Sequence, residues 1–118
     1  MSEYVFVYGT LKRGFCRAHY MQGARFIDTA RTEPGYLLFD VGEYPALVRH
    51  ETGQSVQGEL YEVEPDLWPI LDEVEGVAAD LYRRLTVQLE APHDELRVET
   101  YLYRRSITGL RRCGSHWP

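Results

Sequence analysis

Two short stretches carry residues whose types and spacing suit chemistry. The first is Gly9-Thr10-Leu11-Lys12-Arg13-Gly14, directly after the apolar run Tyr4-Val5-Phe6-Val7-Tyr8. A strand that ends in a glycine-led turn leaves backbone N–H groups without ladder partners, and such groups form a concave donor cluster that binds an anion. Lys12 and Arg13 would add attraction, so a pocket for a carboxylate or phosphate is expected at this strand end. The same residues also suit a plainer part, a core strand followed by a surface turn with two solvated cations. A nucleotide phosphate loop is excluded, because Phe15 and Cys16 stand where that motif needs Lys and Ser or Thr. No G-x-G-x-x-G fingerprint occurs either.

The second stretch is Leu71-Asp72-Glu73-Val74-Glu75-Gly76. It closes a helical pattern, so Glu75 is expected where helix carbonyls concentrate negative charge. An anion there is disfavoured, and Asp72 and Glu73 should push the same way, raising the Glu75 pKa. A carboxylate tuned towards neutrality serves as both general base and general acid. The plainer alternative is a cluster of solvated acids. Cys16 and His19, one helical turn apart, form a weaker candidate thiolate pair, with no third group to orient it. His50, His93 and His116 are scattered without metal-ligand spacing, so no metal is expected.

The elements that must position these residues follow from pattern. Tyr4–Tyr8 is apolar on both faces, which predicts a central strand covered on both sides. Residues 15–23 suit one or two helical turns ended by Gly23, and residues 24–33 an edge strand. Pro34-Gly35 marks a turn before the buried strand Tyr36–Phe39, and Tyr44–Val48 re-enters extended structure. Glu51-Thr52-Gly53-Gln54 reads as a hairpin-like turn before a long strand over 55–63, where Gly58 marks a bulge or a close approach. Pro65 to Glu75 is the one clear helix, with Asp66 as cap, Pro69 in its first turn and an apolar stripe of Leu67, Trp68, Leu71 and Val74. Gly76 stops it. Strands over 81–89 and 97–103 are joined by the polar turn 90–95, and the last fifteen residues lack a clear pattern. This order predicts an antiparallel or mixed sheet curling towards a barrel, with helices at its side.

Composition narrows the function classes. The chain has 118 residues, read as one domain over 1–118, with 44% hydrophobic and 26% charged residues. A net charge of −5 argues against general affinity for nucleic acid or anionic membrane. The Arg83-Arg84, Arg104-Arg105 and Arg111-Arg112 pairs are expected to be solvated or salt-bridged. Cys16 and Cys113 are expected as free thiols in a reducing compartment. Met1-Ser2-Glu3 leads straight into a strand and no apolar run approaches a membrane helix, so a cytoplasmic location is expected.

Four motifs now combine. Val7-Tyr8-Gly9-Thr10-Leu11-Lys12-Arg13-Gly14, Gly42-x-Tyr44-Pro45-Ala46-Leu47, Gly58-Glu59-Leu60-Tyr61, and Leu71-Asp72-x-x-Glu75-Gly76 followed by Tyr82-Arg83 resemble, in this order, the gamma-glutamylcyclotransferase-like family. The likeness runs over residues 4–103 and is strongest to the gamma-glutamylamine cyclotransferase branch and its short bacterial relatives. The resemblance implies an α+β fold, a small mixed β-barrel with flanking short helices and a cavity near one end. It implies that Tyr8, Gly9, Thr10 and Leu11 bind a gamma-glutamyl group and that Glu75 is the acid/base. Tyr82 would stand near the acid, and Tyr103 would line the cavity. The substrate would be a small gamma-glutamyl amine or peptide. Its own α-amine attacks the amide carbonyl, giving 5-oxoproline and a free amine, so no cofactor is expected. Two alternatives stay open: a non-catalytic binding module for a gamma-glutamyl or amino-acid-like ligand, and gamma-glutamyl transfer or hydrolysis through Cys16.

Overall fold

The computed structural model describes residues 3–117. Met1, Ser2 and Pro118 lie outside the described residues, and with them the reading of the first two positions. Eight strands form two sheets. β1 (Glu3–Val7), β2 (Arg25–Arg31), β5 (Gln57–Val63), β6 (Tyr82–Val87) and β7 (Val98–Tyr103) make a five-stranded sheet ordered β2-β5-β1-β7-β6. β3 (Tyr36–Asp40), β4 (Pro45–Arg49) and β8 (Arg111–Arg112) make a three-stranded sheet ordered β4-β3-β8. β1 is antiparallel to β5 and parallel to β7, so the larger sheet is mixed.

The central place of β1 follows from its two apolar faces. Side chains alternate along a strand. Phe6 and Tyr8 enter a cluster with Leu38, Leu47, Leu60 and Val98. Val5 and Val7 enter another with Met21, Trp68, Leu71 and Tyr101. β2 is an edge strand, as its mixed pattern predicts.

The expected barrel is only partly formed. The two edges of the larger sheet approach at one end, where Thr32 bridges Leu89 and the Glu33 and Glu90 N–H groups donate to Gln88 and Arg31 carbonyls, each at 2.9 Å. The sheet therefore curls, but no continuous ladder closes it among the described residues. Residues 51–54 form a turn, yet not a hairpin, because β4 pairs with β3 while β5 belongs to the other sheet. Gly58 marks a close approach, with the Val7 carbonyl and the Phe6 ring against its Cα. The register shift lies instead in β2, between Phe26 and Asp28. The unpatterned tail contributes β8, and the Cys113 N–H donates to Leu38 O at 2.8 Å.

The helix is shorter than its pattern. A 3-10 turn over Pro65–Leu67 leads into α1 (Trp68–Val74). This entry moves the helix start beyond Asp66, which forms no side-chain cap; Pro69 does sit in the first turn. Trp68 and Leu71 are buried, Leu67 and Val74 pack beside them, and Gly76 reverses the chain at φ +69°. The residues after Gly14 give a single 3-10 turn, Ala18–Met21, which buries Met21. Of the arginine pairs, Arg84 meets Asp72 and Glu99, Arg104 meets Asp80 and Arg111 meets Asp40.

The Gly58 contact supplies a stability test. An added Cβ would lie 2.4 Å from Val7 O and 2.6 Å from Phe6 Cζ. Neither the central strand nor a fully buried ring can yield cheaply, so Gly58→Ala is expected to lower unfolding free energy by about 1–3 kcal/mol in urea titration.

Candidate active site

The turn that ends β1 is built by close packing. Gly9 lies directly against Pro45, the first residue of β4: a Cβ at position 9 would sit 2.5 Å from Pro45 Cγ. The Lys12 N–H closes the turn on Gly9 O at 3.0 Å, and the Arg17 N–H donates to Thr10 O at 2.9 Å. Glu59 secures the far side, accepting from the Arg13 N–H, Arg13 Nε and the Tyr61 hydroxyl. Thr10 and Leu11 are buried. Among the described residues, the N–H groups of Gly9, Thr10 and Leu11 donate to no backbone acceptor. Lys12 and Arg13 do not face this donor cluster, contrary to the sequence expectation. Lys12 Nζ donates to Trp117 O at 2.8 Å, and Arg13 stacks on Phe26 while pairing with Glu59.

Glu75 ends α1, its N–H still bonded to Leu71 O at 2.9 Å. The chain then turns through Gly76 and a 3-10 segment, Val77–Ala79, into Tyr82 at the start of β6. The Tyr82 hydroxyl donates to Pro45 O. Tyr82 therefore ties the strand after the acid to the residue that presses on Gly9. Tyr8, Gly9, Thr10, Leu11, Glu75 and Tyr82 all border one cleft, with Arg17, Tyr44, Pro45 and Tyr101 completing its walls. Tyr103 is not on that lining; it packs edge-on against Tyr82 with ring centroids 5.4 Å apart. Cys16 is exposed outside the cleft, and His19 stacks on Tyr20. The cleft holds about 20 Å³, room for one water-sized body. A groove of about 520 Å³ elsewhere is larger, but its charges are mostly paired, Asp28 with His93 and Arg31 with Glu90.

The Glu75 carboxyl is pushed up to about 7, chiefly by burial, with Arg17 pulling the other way. The acidic neighbours are not the cause, which corrects the sequence argument. Asp72 is turned to Arg84 and the Tyr101 hydroxyl, and Glu73 is exposed. Among the described residues Glu75 forms no ion pair or side-chain hydrogen bond. Tyr8, Tyr82 and Tyr101 are all raised, first by burial, so their hydroxyls stay protonated and act as donors. Glu75 is thus the cleft group that exchanges a proton near neutrality.

The family model "Gamma-glutamyl cyclotransferase, AIG2-like" matches residues 5–117. This chain belongs to that family. As a gamma-glutamyl cyclotransferase-family member it is a cyclotransferase-type enzyme. A Vibrio cholerae protein named provisionally as a gamma-glutamylcyclotransferase is 42% identical over 88 residues, covering 75% of this chain and 74% of that one. Gamma-glutamylaminecyclotransferase A of Danio rerio is 38% identical over 94 residues, covering 73% of this chain and 58% of its own. The crystal structure of an AIG2-like protein from Mus musculus superposes with a TM-score of 0.78 at 26% identity, covering 98% of this chain and 88% of the mouse chain. No helix among the described residues is long and apolar enough to cross a membrane.

Arg17, Tyr44, Pro45 and Tyr101 are cleft residues that sequence reasoning did not name for the site, although Tyr44 and Pro45 lie in one of the quoted motifs. Tyr101 lies in a predicted strand on the same face as Tyr103, opposite Val98 and Leu102, so the alternation around Tyr103 was the signal that could have found it. Arg17 had no signal beyond being a cation shortly after Gly14.

This half-buried, desolvated acid makes stability depend on pH. Its folded pKa of about 7 exceeds the ordinary 4.5, so the folded protein holds this proton more tightly than the unfolded chain does. The stability it lends is therefore complete below pH 4.5 and is lost as pH rises towards 7. Glu75→Gln, which cannot ionise, should exceed the parent at pH 8 by about 1–3 kcal/mol after allowing for residual solvation. At pH 4 the two should melt together, as followed by calorimetry.

Proposed function

We propose that this enzyme converts a gamma-glutamyl amide into 5-oxoproline and a free amine, with Glu75 as general base and then general acid. One observation carries the reading: Glu75, a desolvated carboxyl with no ion pair or side-chain hydrogen bond among the described residues, lines the same cleft as Gly9, Thr10 and Leu11, whose N–H groups have no backbone acceptor there. The substrate contains both reacting groups. Its α-ammonium gives a proton to Glu75, and the freed amine nitrogen attacks the gamma-carbonyl carbon of the same molecule. A carbon–nitrogen bond forms, closing a five-membered ring, and the carbonyl becomes a tetrahedral oxyanion. The turn N–H groups suit that oxyanion, as preorganised donors in a water-poor site do. Protonated Glu75 then delivers its proton to the leaving nitrogen, the old amide bond breaks and the carbonyl re-forms; the ring nitrogen gives its remaining extra proton to the carboxylate so regenerated, which passes it to the departing amine, leaving Glu75 ionised. Holding amine and carbonyl together can supply up to about 7–11 kcal/mol of barrier reduction.

A gamma-glutamyl group is larger than the innermost 20 Å³ of the cleft and extends from it towards the open side. The half-buried Arg17 and Tyr44 form the outer wall; Tyr8 and Tyr82 are held by hydrogen bonds to Tyr101 O and Pro45 O.

The reading is tested by incubation with gamma-glutamyl amines, gamma-glutamyl peptides and ε-(gamma-glutamyl)lysine, scored for 5-oxoproline. Glu75→Gln should lose at least about 10²-fold in kcat while retaining substrate binding. Unchanged turnover in that variant would remove Glu75 from the mechanism, and saturable binding without product would favour a non-catalytic role. The parent's kcat/KM should fall below a pH of about 7, as Glu75 becomes protonated in the free enzyme.

A further inference from the structure

We propose that Arg17 is the anchor for the substrate's α-carboxylate and so sets the requirement for a gamma-glutamyl rather than a simple acyl amide. The inference deepens the reading of the cleft given above and rests on it. Among the residues lining the cleft, Arg17 is the one cation. It forms no ion pair or side-chain hydrogen bond among the described residues, its guanidinium lying 5.9 Å from the Tyr44 ring centroid. The other basic residues of the segment are committed elsewhere, Lys12 to Trp117 O and Arg13 to Glu59. The Arg17 backbone is fixed by its N–H on Thr10 O and by its carbonyl, which accepts from the Tyr20 N–H at 3.1 Å. The side chain therefore starts from a fixed point beside the donor turn.

The substrate's chemistry fits this arrangement. Its α-carbon carries an ammonium and a carboxylate on adjacent bonds. A site that takes the ammonium with an anion needs a cation nearby for the carboxylate, or ionised Glu75 would repel it. Arg17 and Glu75 are near enough for each to feel the other's charge, yet they form no ion pair. Two opposite charges held apart in one cleft match a zwitterion's two ends. A guanidinium binds a carboxylate through two parallel N–H donors, which fixes orientation as well as position. With the carboxylate on Arg17, the N–H groups of Gly9, Thr10 and Leu11 are left for the amide oxygen that becomes the oxyanion.

The test pairs a gamma-glutamyl amine with its 4-aminobutyryl counterpart, which keeps the leaving amine and the ring-closing amine but lacks the α-carboxylate. In Arg17→Ala, KM for the gamma-glutamyl substrate should rise about 10- to 100-fold, while the 4-aminobutyryl compound is unaffected and discrimination between them disappears. Arg17→Lys should restore part of it. Equal losses on both compounds, or retained discrimination, would overturn the assignment. A second arm needs no turnover: calorimetric binding of 5-oxoproline and of uncharged 2-pyrrolidinone to the wild-type protein and to Arg17→Ala. Loss of 5-oxoproline binding alone supports the anchor even if no substrate is cyclised, a result that would sink only the proposed reaction. Equal 5-oxoproline affinity in both proteins, or none in either, overturns the anchor.

Discussion

The contact between Gly9 and Pro45 is the constraint on which the site depends. Gly9 lies in the turn that follows β1 of the larger sheet, Pro45 opens β4 of the smaller one, and no side chain separates them. The contact holds the turn after β1 directly against the start of β4, with no room for a Cβ between them. Pro45 also accepts the Tyr82 hydroxyl through its carbonyl, so β6 joins the same point. Tyr82 follows Glu75 after one glycine reversal and one 3-10 turn. The distance between donor turn and acid is therefore set by packing between sheets, and neither segment could set it alone. Any side chain at position 9 would push against a ring whose backbone carbonyl is already committed.

The electrostatics of the molecule separate Glu75 from the other partly buried acids. Glu59 is ion-paired with Arg13 and accepts from the Tyr61 hydroxyl, and Asp72 is ion-paired with Arg84 and accepts from the Tyr101 hydroxyl. Both serve structure, one holding the turn and the other tying α1 to the sheet. Glu75 has no such partner among the described residues. An unpaired carboxyl in a desolvated cleft costs stability when ionised, a cost that the core packing of the rest of the fold must offset. A group kept at the expense of stability, in a concave site with perturbed titration, marks function more firmly than a motif does.

Much of this was legible in the chain. The two apolar faces of Tyr4–Tyr8 announced the central strand, and the stripe through Trp68 and Leu71 announced the helix with Gly76 as its stop. The residues named for the site, Tyr103 apart, border one cleft. What stayed hidden was non-local. Sheet membership of β4 and β5 cannot be read from either strand's own pattern. β8 spans two residues and is held by backbone bonds to β3. The directions of Lys12 and Arg13 depend on Trp117, Phe26 and Glu59, all remote in sequence. The raised pKa of Glu75 was anticipated from adjacent acids, but its main cause is burial, which only the assembled fold supplies.

The walls of the cleft divide the work unequally, and the division bears on how it admits a ligand. Tyr8 and Tyr82 are buried and bonded to carbonyls of β7 and β4, so the inner wall is rigid. A rigid inner wall suits the reacting centre, where donors must already stand in place when charge develops. Arg17 and Tyr44 retain solvent contact and meet only across 5.9 Å, without a hydrogen bond to hold them. On the proposal that Arg17 takes the α-carboxylate, the guanidinium is the part of this wall that a ligand's charge would draw in, while Tyr44 stays packed beside Tyr82. Closure would then be driven by the substrate's own charge, and a ligand lacking that charge would leave the outer wall open to water.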